Sequence, residues 1–466
     1  MWYPPNFTVA ALGVILSAIL TVHVLIKKRN VASAMGWIGL AWLSPFVAAG
    51  LYFIFGINRI ERRARILRRP AKTQRSRTTH PSENSEPFGI LKSTIGAVTG
   101  QSLALADISM PLHNGDDAYP QMLAAINNAK TTVALASYIF RSDKIGHEFI
   151  DALAKASKRG VLIRVLVDGF GSGIFLASTY RLFRKQGIPV ARFMTSILPW
   201  KIQFLNLRLH KKILVIDGAI AFIGGLNIAD ENTRRRNKKI IVRDTHFRIE
   251  GPVVKQITTD FIDDWLFATG EELQESIWNP DDQAVGNVEA RVIVSGPDQK
   301  TEELTLVLLS AISAAQKSIT IATPYFLPSE HLMSALQLAA IRGIDVRIVI
   351  PMINNHIPIG WAMHAHVGPL LQAGCRIWQA PLPFNHSKLM IVDNIWCLFG
   401  SPNWDTRSLR LNFELAIEAY DPVLGSQLFG VIDKSCVTPL TIMKLEARPF
   451  VVKCRDAATR LLIPYL

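Results

Sequence analysis

Leu209-His210-Lys211-Lys212-Ile213-Leu214-Val215-Ile216-Asp217 reads as His-x-Lys-x4-Asp, and the apolar run behind Lys212 predicts a short buried strand. The same pattern returns at Asn385-His386-Ser387-Lys388-Leu389-Met390-Ile391-Val392-Asp393. Each copy runs on to a small-residue turn and an asparagine, Gly224-Gly225-Leu226-Asn227 in the first and Gly400-Ser401-Pro402-Asn403 in the second. The registers match: 386 − 210 and 403 − 227 are both 176. A single motif histidine would read as an ordinary structural side chain. Packing alone does not explain two copies with the same asparagine at the same offset.

An internal repeat surrounds the two motifs. Ala125-Ile126-Asn127-Asn128-Ala129 leads into a strand-like stretch over 132–140, and Ala311-Ile312-Ser313-Ala314-Ala315 leads into its counterpart over 318–326. A helical pattern then ends in Arg159-Gly160 before a strand at 161–167, matched by Arg342-Gly343 before 344–350. A further helix closes at Gly187 and at Gly374, where glycine suits the residue after a helix end. Strands alternating with helices predict an α/β fold in two halves, each with a mixed sheet. The polar stretch 280–294 marks the boundary, giving halves at 96–285 and 286–466. One histidine per half predicts a single site at a pseudo-twofold interface.

The doubled motif resembles the phospholipase D superfamily. The continuation Asn403-Trp404-Asp405-Thr406-Arg407-Ser408-Leu409-Arg410-Leu411-Asn412-Phe413-Glu414 resembles bacterial cardiolipin synthases within it, and the likeness covers nearly the whole chain. The resemblance implies a duplicated fold packed by pseudo-twofold symmetry and a covalent phosphohistidine. It also implies His210 as nucleophile and His386 as general acid, although the motif symmetry permits the reverse. A phosphodiester is an anion, so cleaving it needs a nucleophile, an acid for the leaving alkoxide and groups that neutralise charge. Lys212 and Lys388 suit the neutralising role. Asn227 and Asn403 suit donation to the same oxygens, with Ser401 assisting. Asp244 and Glu414 are the carboxylates expected to hold the far ring nitrogens of the histidines. Asp217 and Asp393 complete the catalytic motifs, and their place at the motif ends suggests turn stabilisation. Tyr325-Phe326-Leu327-Pro328 resembles a family segment beside the site, or else is an edge of the core strand. No cofactor or metal is expected. Gly169-Phe170-Gly171-Ser172 lacks the lysine of a phosphate loop and reads as a turn. Lys211 is expected to be exposed.

Composition points to a membrane segment and does not choose a partner, a solvated basic face being the default reading of the charge. In 466 residues the apolar share is 49%, the mean hydropathy +0.22 and the net charge +14. Such a basic chain attracts nucleic acid or anionic lipid. Cys375, Cys397, Cys436 and Cys454 show no metal-ligand spacing and no disulfide framework. Residues 7–26 form an uncharged run long enough to cross a bilayer, ended by Lys27-Lys28-Arg29. Residues 34–55 form a second run, with Trp37, Trp42 and Tyr52 at interfacial positions and a kink at Pro45. A membrane hairpin over 1–60 is the reading. The basic linker that follows over 61–95 carries Arg59, Arg62, Arg63, Arg65, Arg68, Arg69, Lys72, Arg75 and Arg77 around its start, which places the globular part in the cytoplasm. The stretch 73–87 reads as a flexible linker.

The resemblance then implies a multi-pass enzyme of the bacterial cell membrane with phosphatidylglycerol as its lipid partner. Two phosphatidylglycerol molecules would give cardiolipin and glycerol. The alternatives are a membrane-bound hydrolase of the same superfamily, a superfamily nuclease and a non-catalytic lipid scaffold. No nucleic-acid partner is expected, since such nucleases are usually shorter and need no hairpin. The chain departs from the family at Val242, where tryptophan is common, at Asn354-Asn355-His356, and in the basic run 234–239. Residues 450–466 mix basic and apolar side chains, as in a helix lying on a membrane or packing on the core.

Overall fold

Pro45 divides the second apolar run instead of bending it. The computed structural model describes residues 5–27, 31–53, 88–172, 178–193, 207–234, 242–280, 285–296, 302–461 and 463. The basic cluster Arg59–Arg77, the linker 73–87 and most of the 234–239 run lie outside them. The N-terminal helices form one unit and the residues from 88 onward another. In the first unit, α1 (Pro5–Lys27) packs against α2 (Val31–Leu43) and α3 (Pro45–Leu51). Ser17 donates to the Ala41 carbonyl at 2.6 Å and the Trp42 indole donates to Thr21 at 3.2 Å, tying α1 to α2. Ser44 leaves helical geometry (φ −151°) and Pro45 starts a new helix, because proline lacks the N–H and its ring clashes with the preceding turn. The expected second spanning helix is therefore two pieces of 13 and 7 residues. Among the described residues one helix, Phe7–Lys27, is long and apolar enough to cross a membrane.

The larger unit is built as two copies of one pattern. Its helices include α4 (Gly89–Thr99), α5 (Asn114–Asn128), α6 (Lys144–Lys158), α7 (Val253–Thr269), α8 (Glu303–Ala314), α9 (Glu330–Ile341), α10 (Ile357–His366), α11 (Thr406–Arg410), α12 (Pro422–Asp433) and α13 (Phe450–Arg460). The strands of the first half are β1 (Ala104–Ile108), β2 (Thr132–Ser137), β3 (Leu162–Asp168), β4 (Val190–Phe193), β5 (Ile213–Ile216), β6 (Ile220–Gly224) and β7 (Thr245–Glu250). Those of the second are β8 (Val288–Ser295), β9 (Ser318–Ala322), β10 (Asp345–Pro351), β11 (Arg376–Ala380), β12 (Leu389–Val392), β13 (Trp396–Gly400) and β14 (Glu414–Tyr420).

The order across the 16-stranded sheet is β4-β3-β2-β5-β6-β7-β1-β8-β14-β13-β12-β9-β10-β11, with short strands added at Leu112–His113 and Thr438–Leu440. It reads the same from either end, with the dyad between β1 and β8. There Ala104 pairs with Ala290 in antiparallel register. β2–β3–β4 and β9–β10–β11 are parallel; the motif strands β5 and β12 run antiparallel to β2 and β9. Each half has its own apolar core, one around Leu135, Phe149 and Val165 and one around Ile321, Leu336 and Ile348.

The paired Arg-Gly dipeptides show why the repeat recurs in the sequence. Gly160 (φ +92°) and Gly343 (φ +90°) end their helices in the left-handed region open to glycine. The arginine before each one donates to the carbonyls that end the preceding helix, Arg159 to Ile126 and Ala129, Arg342 to Ala315. The boundary stretch 280–294 is shorter than the sequence suggests, since β8 begins at Val288 in the middle of the sheet. The linker likewise ends earlier than 95. α4 is held by the buried Arg291 guanidinium, which donates to the Lys92 and Gln101 carbonyls and pairs with Glu418. α13 packs on α10, with the Arg455 guanidinium 4.0 Å from the Trp361 ring, while Phe450 and Val451 stay exposed.

Candidate active site

Each motif histidine precedes its strand and is gripped by the opposite half. The His210 N–H donates to the Phe413 carbonyl at 2.9 Å, and its Nδ1 meets the Glu414 carboxylate at 2.9 Å. The His386 N–H donates to the Arg243 carbonyl at 2.7 Å, and its Nδ1 meets Asp244 at 2.7 Å. A carboxylate accepts only, so each Nδ1 carries the proton and each Nε2 presents a lone pair. Both rings line one cleft of about 430 Å³. The carboxylates that the sequence places downstream of each motif are thus exchanged between halves.

The two carboxylate sites are built differently. A Cβ at Gly225 would lie 2.1 Å from the Asp244 carboxylate, so only glycine leaves room for it. The equivalent residue, Ser401, has its hydroxyl on Glu414 at 2.5 Å and accepts the Leu415 N–H at 3.0 Å. Ser401 therefore orients Glu414 rather than a phosphate, because it faces β14 and not the cleft. Asn412 adds a donor to Glu414 at 3.1 Å.

The lysines alternate with the histidines along an extended segment, so Lys212 lies on the same side as His210, and Lys388 as His386. Each ammonium is buried and donates to its own histidine's carbonyl at 2.5 Å. Burial lowers the Lys212 pKa to about 7 and the Lys388 pKa to about 8. Burial, with the nearby lysines, also lowers His210 to about 4 and His386 to about 3, against the opposing pull of their carboxylates. Burial would raise Glu414, but His210 and Lys212 outweigh it and hold it below the ordinary value. At neutral pH both rings are thus neutral, Lys388 is mostly an ammonium and Lys212 is near half protonation. An arriving anion would raise all four pKa values and favour protonation of one ring.

Asn227 and Asn403 line the cleft. Asn227 accepts the Ile139 N–H at 3.2 Å, whereas the buried Asn403 Oδ1 has no hydrogen-bond partner. Asp217 and Asp393 lie at the far ends of β5 and β12. Asp217 accepts from the Lys130, Thr131 and Thr132 amides, Asp393 from Gln316, Lys317 and Ser318. These two carboxylates tie the motif strands to β2 and β9 and do not line the cleft. Among the described residues no cluster of three or more His, Cys, Asp or Glu is arranged to hold a metal ion.

Lys211 is not exposed. Its ammonium lies fully buried between Asp260 and Asp264 at 2.6 Å each. Alternation does turn it away from His210, but α7 covers that face and supplies both carboxylates. Tyr325 lines the cleft, its ring edge toward His386 at 6.2 Å and its hydroxyl on Asn355 at 2.9 Å. Tyr138 lies against the other ring, 4.9 Å from His210 centroid to centroid, although the repeat aligns Tyr325 with Ile139. Sequence reasoning passed over Tyr138 and Arg208. The signal for Arg208 was its position two residues before His210. Val242 lines the cleft too, on a short strand that pairs with Phe384 of the other half.

A family profile described as "Cardiolipin synthase, PLD-like domain" matches residues 122–265 and 308–434. "Cardiolipin synthase 1" of Bacillus anthracis is 32% identical over 416 residues, covering 85% of this chain and 82% of that protein. "Major cardiolipin synthase ClsA" of Bacillus subtilis (strain 168) is 32% identical over 478 residues, covering 97% of this chain and 98% of that protein. Among solved structures, phosphatidylserine synthase of Haemophilus influenzae Rd KW20 superposes with a TM-score of 0.62 at 15% identity, over 80% of this chain and 99% of that one. That likeness is one of fold.

Proposed function

The chain belongs to the cardiolipin synthase family of phospholipase D-like proteins, and on that premise we propose that it transfers a phosphatidyl group from one phosphatidylglycerol to another, releasing glycerol. The observation that carries this reading is the pair of Nε2 lone pairs in one cleft, each ring held through Nδ1 by a carboxylate of the opposite half. In the first step His210 Nε2 bonds to phosphorus, the bond to glycerol oxygen breaks, and His386 delivers the proton to that oxygen. In the second, His386 takes the proton from a hydroxyl of the second lipid, that oxygen bonds to phosphorus, and the N–P bond breaks. Lys212, Lys388, Asn227 and Asn403 offset charge on the non-bridging oxygens. His386, lowered to about 3 by burial and Lys388, takes up the proton it delivers when the anionic lipid binds.

The family and the apolar α1 support attachment to a membrane. The basic residues after position 58 support a globular part in the cytoplasm, and a multi-pass anchor would need the α2–α3 pair, broken at Ser44, to cross together with α1. The test is the full chain in phosphatidylglycerol vesicles, with lipids and glycerol measured together. Cardiolipin and glycerol should appear in equal amounts. Phosphatidic acid as the sole lipid product would make the protein a hydrolase. Nucleotides released from DNA without lipid transfer would make it a nuclease.

A further inference from the structure

The catalytic groups are nearly symmetric about the dyad, but the cleft is not. The motif offset of 176 relates Arg208 to Phe384 and Glu231 to Arg407, and all four line the cleft. Each half thus contributes one guanidinium at a position where its counterpart has none. Arg208 flanks Leu209, which bridges to Phe413, so Arg208 and His210 lie on one side of an extended segment, about 7 Å apart along it. Its guanidinium stacks over the Phe170 ring at 4.2 Å and bonds to Tyr138. Arg407 comes from α11 of the other half, and its charge is near enough to repel that of Arg208. Asp168 faces Arg208 and attracts it more than Arg407 repels it. Asp168 is tied to the Phe170, Gly171 and Leu209 amides, Asp405 caps α11 and is raised by burial to about 6, and Glu231 pairs with Arg141.

Two guanidiniums, one from each half, line the cleft that holds both histidines. One reacting phosphodiester carries a single negative charge, and Lys212, Lys388 and the two asparagines already surround it. We propose that Arg208 and Arg407 form a subsite for a second phosphodiester, that of the acceptor lipid, which is bound but not cut. Guanidiniums suit this role because their planar forks take two phosphate oxygens at once. The three-carbon glycerol bridge lets the acceptor's hydroxyl reach phosphorus from the His386 side while its own phosphate rests on the arginines. The subsite rests on the proposed transferase activity and adds what selects a phospholipid over water or a free alcohol as acceptor.

The experiment compares two reactions of the full chain in phosphatidylglycerol vesicles. One is cardiolipin formation; the other is exchange of labelled free glycerol into phosphatidylglycerol, in which the acceptor has no phosphate. Arg208→Gln and Arg407→Gln should lower the ratio of cardiolipin formation to exchange by about 10- to 100-fold, the range for losing a charged hydrogen bond. Arg208→Lys and Arg407→Lys, which keep the charge and the cleft filled, should recover part of that ratio. An unchanged ratio in the glutamine variants, or equal loss of both reactions in the lysine variants, would overturn the subsite. A wild-type protein that exchanges glycerol but makes no cardiolipin would instead overturn the transferase reading.

Discussion

At the scale of single residues, each motif ring is held by a carboxylate of the other half, Glu414 lying 204 residues after His210 and Asp244 142 residues before His386. Asp244→Asn and Glu414→Gln replace an acceptor-only carboxylate with an amide that can also donate, so the Nδ1–H tautomer is no longer enforced, and each should lower kcat about 10²- to 10⁴-fold. Steady-state cardiolipin formation with unchanged melting would show it. Which carboxylate serves which ring was not legible, because spacing along one chain does not say that two halves exchange partners. The motif residues themselves were legible, because His, Lys and Asn recur in register. Lys211 was misjudged for a physical reason: alternation gives the face a side chain takes, not whether another element covers that face. The i, i+4 pair Asp260 and Asp264 on the buried side of α7 was the missing signal.

The depressed ring pKa values also set how stability responds to pH. His210 and His386 sit at about 4 and 3, and His246, buried without partners for either nitrogen, at about 4. Between the unfolded value near 6.5 and these folded values, the unfolded chain binds more protons than the folded one. Stability is therefore full above about pH 6.5 and falls as pH drops toward 4, by about 1.4 kcal/mol per unit for each ring at most. Thermal unfolding in detergent should show the melting temperature falling across this window. His246→Phe should make the fall shallower, and a melting temperature flat from pH 7 to 5 would contradict the burial of neutral rings.

At the scale of elements, the turns after β6 and β13 do unlike work at equivalent places. Gly225 makes room for Asp244, whereas Ser401 holds Glu414. Gly225→Ala should therefore lower activity more than about 10²-fold by displacing a carboxylate, and Ser401→Ala about 10-fold by removing one hydrogen bond to it. A Gly225→Ala enzyme with wild-type turnover would contradict the close approach. Lys211 joins the first motif to α7 in a buried ion triad. Lys211→Ala leaves two carboxylates facing each other without a cation and should cost about 3–5 kcal/mol of stability. Chemical denaturation of the purified chain measures this, and a loss under 1 kcal/mol would mean that water reaches the site. The kink at Pro45 was read from proline's chemistry, but its outcome was a full break between α2 and α3. Ser44 in non-helical geometry is what turns a kink into a new helix start.

At the scale of the whole molecule, the sheet order that reads alike from both ends puts each motif strand at the same distance from β1 and β8. The duplication and the α/β class were legible because helix ends, Arg-Gly pairs and motifs repeat along the chain. The joining of both halves into one sheet was not, since β8 lies in a stretch that reads as polar boundary. Its pairing with β1 depends on contacts made only after each half exists.

The central claim is that the two rings act in turn on one phosphate, and phosphate-labelled phosphatidylglycerol mixed with His210→Gln and His386→Gln proteins tests it most directly. The account predicts acid-labile label held by the His386→Gln protein on the peptide carrying His210, and none held by His210→Gln. Label held only by His210→Gln would reverse the order of the rings. Full cardiolipin turnover by either variant would contradict the shared site.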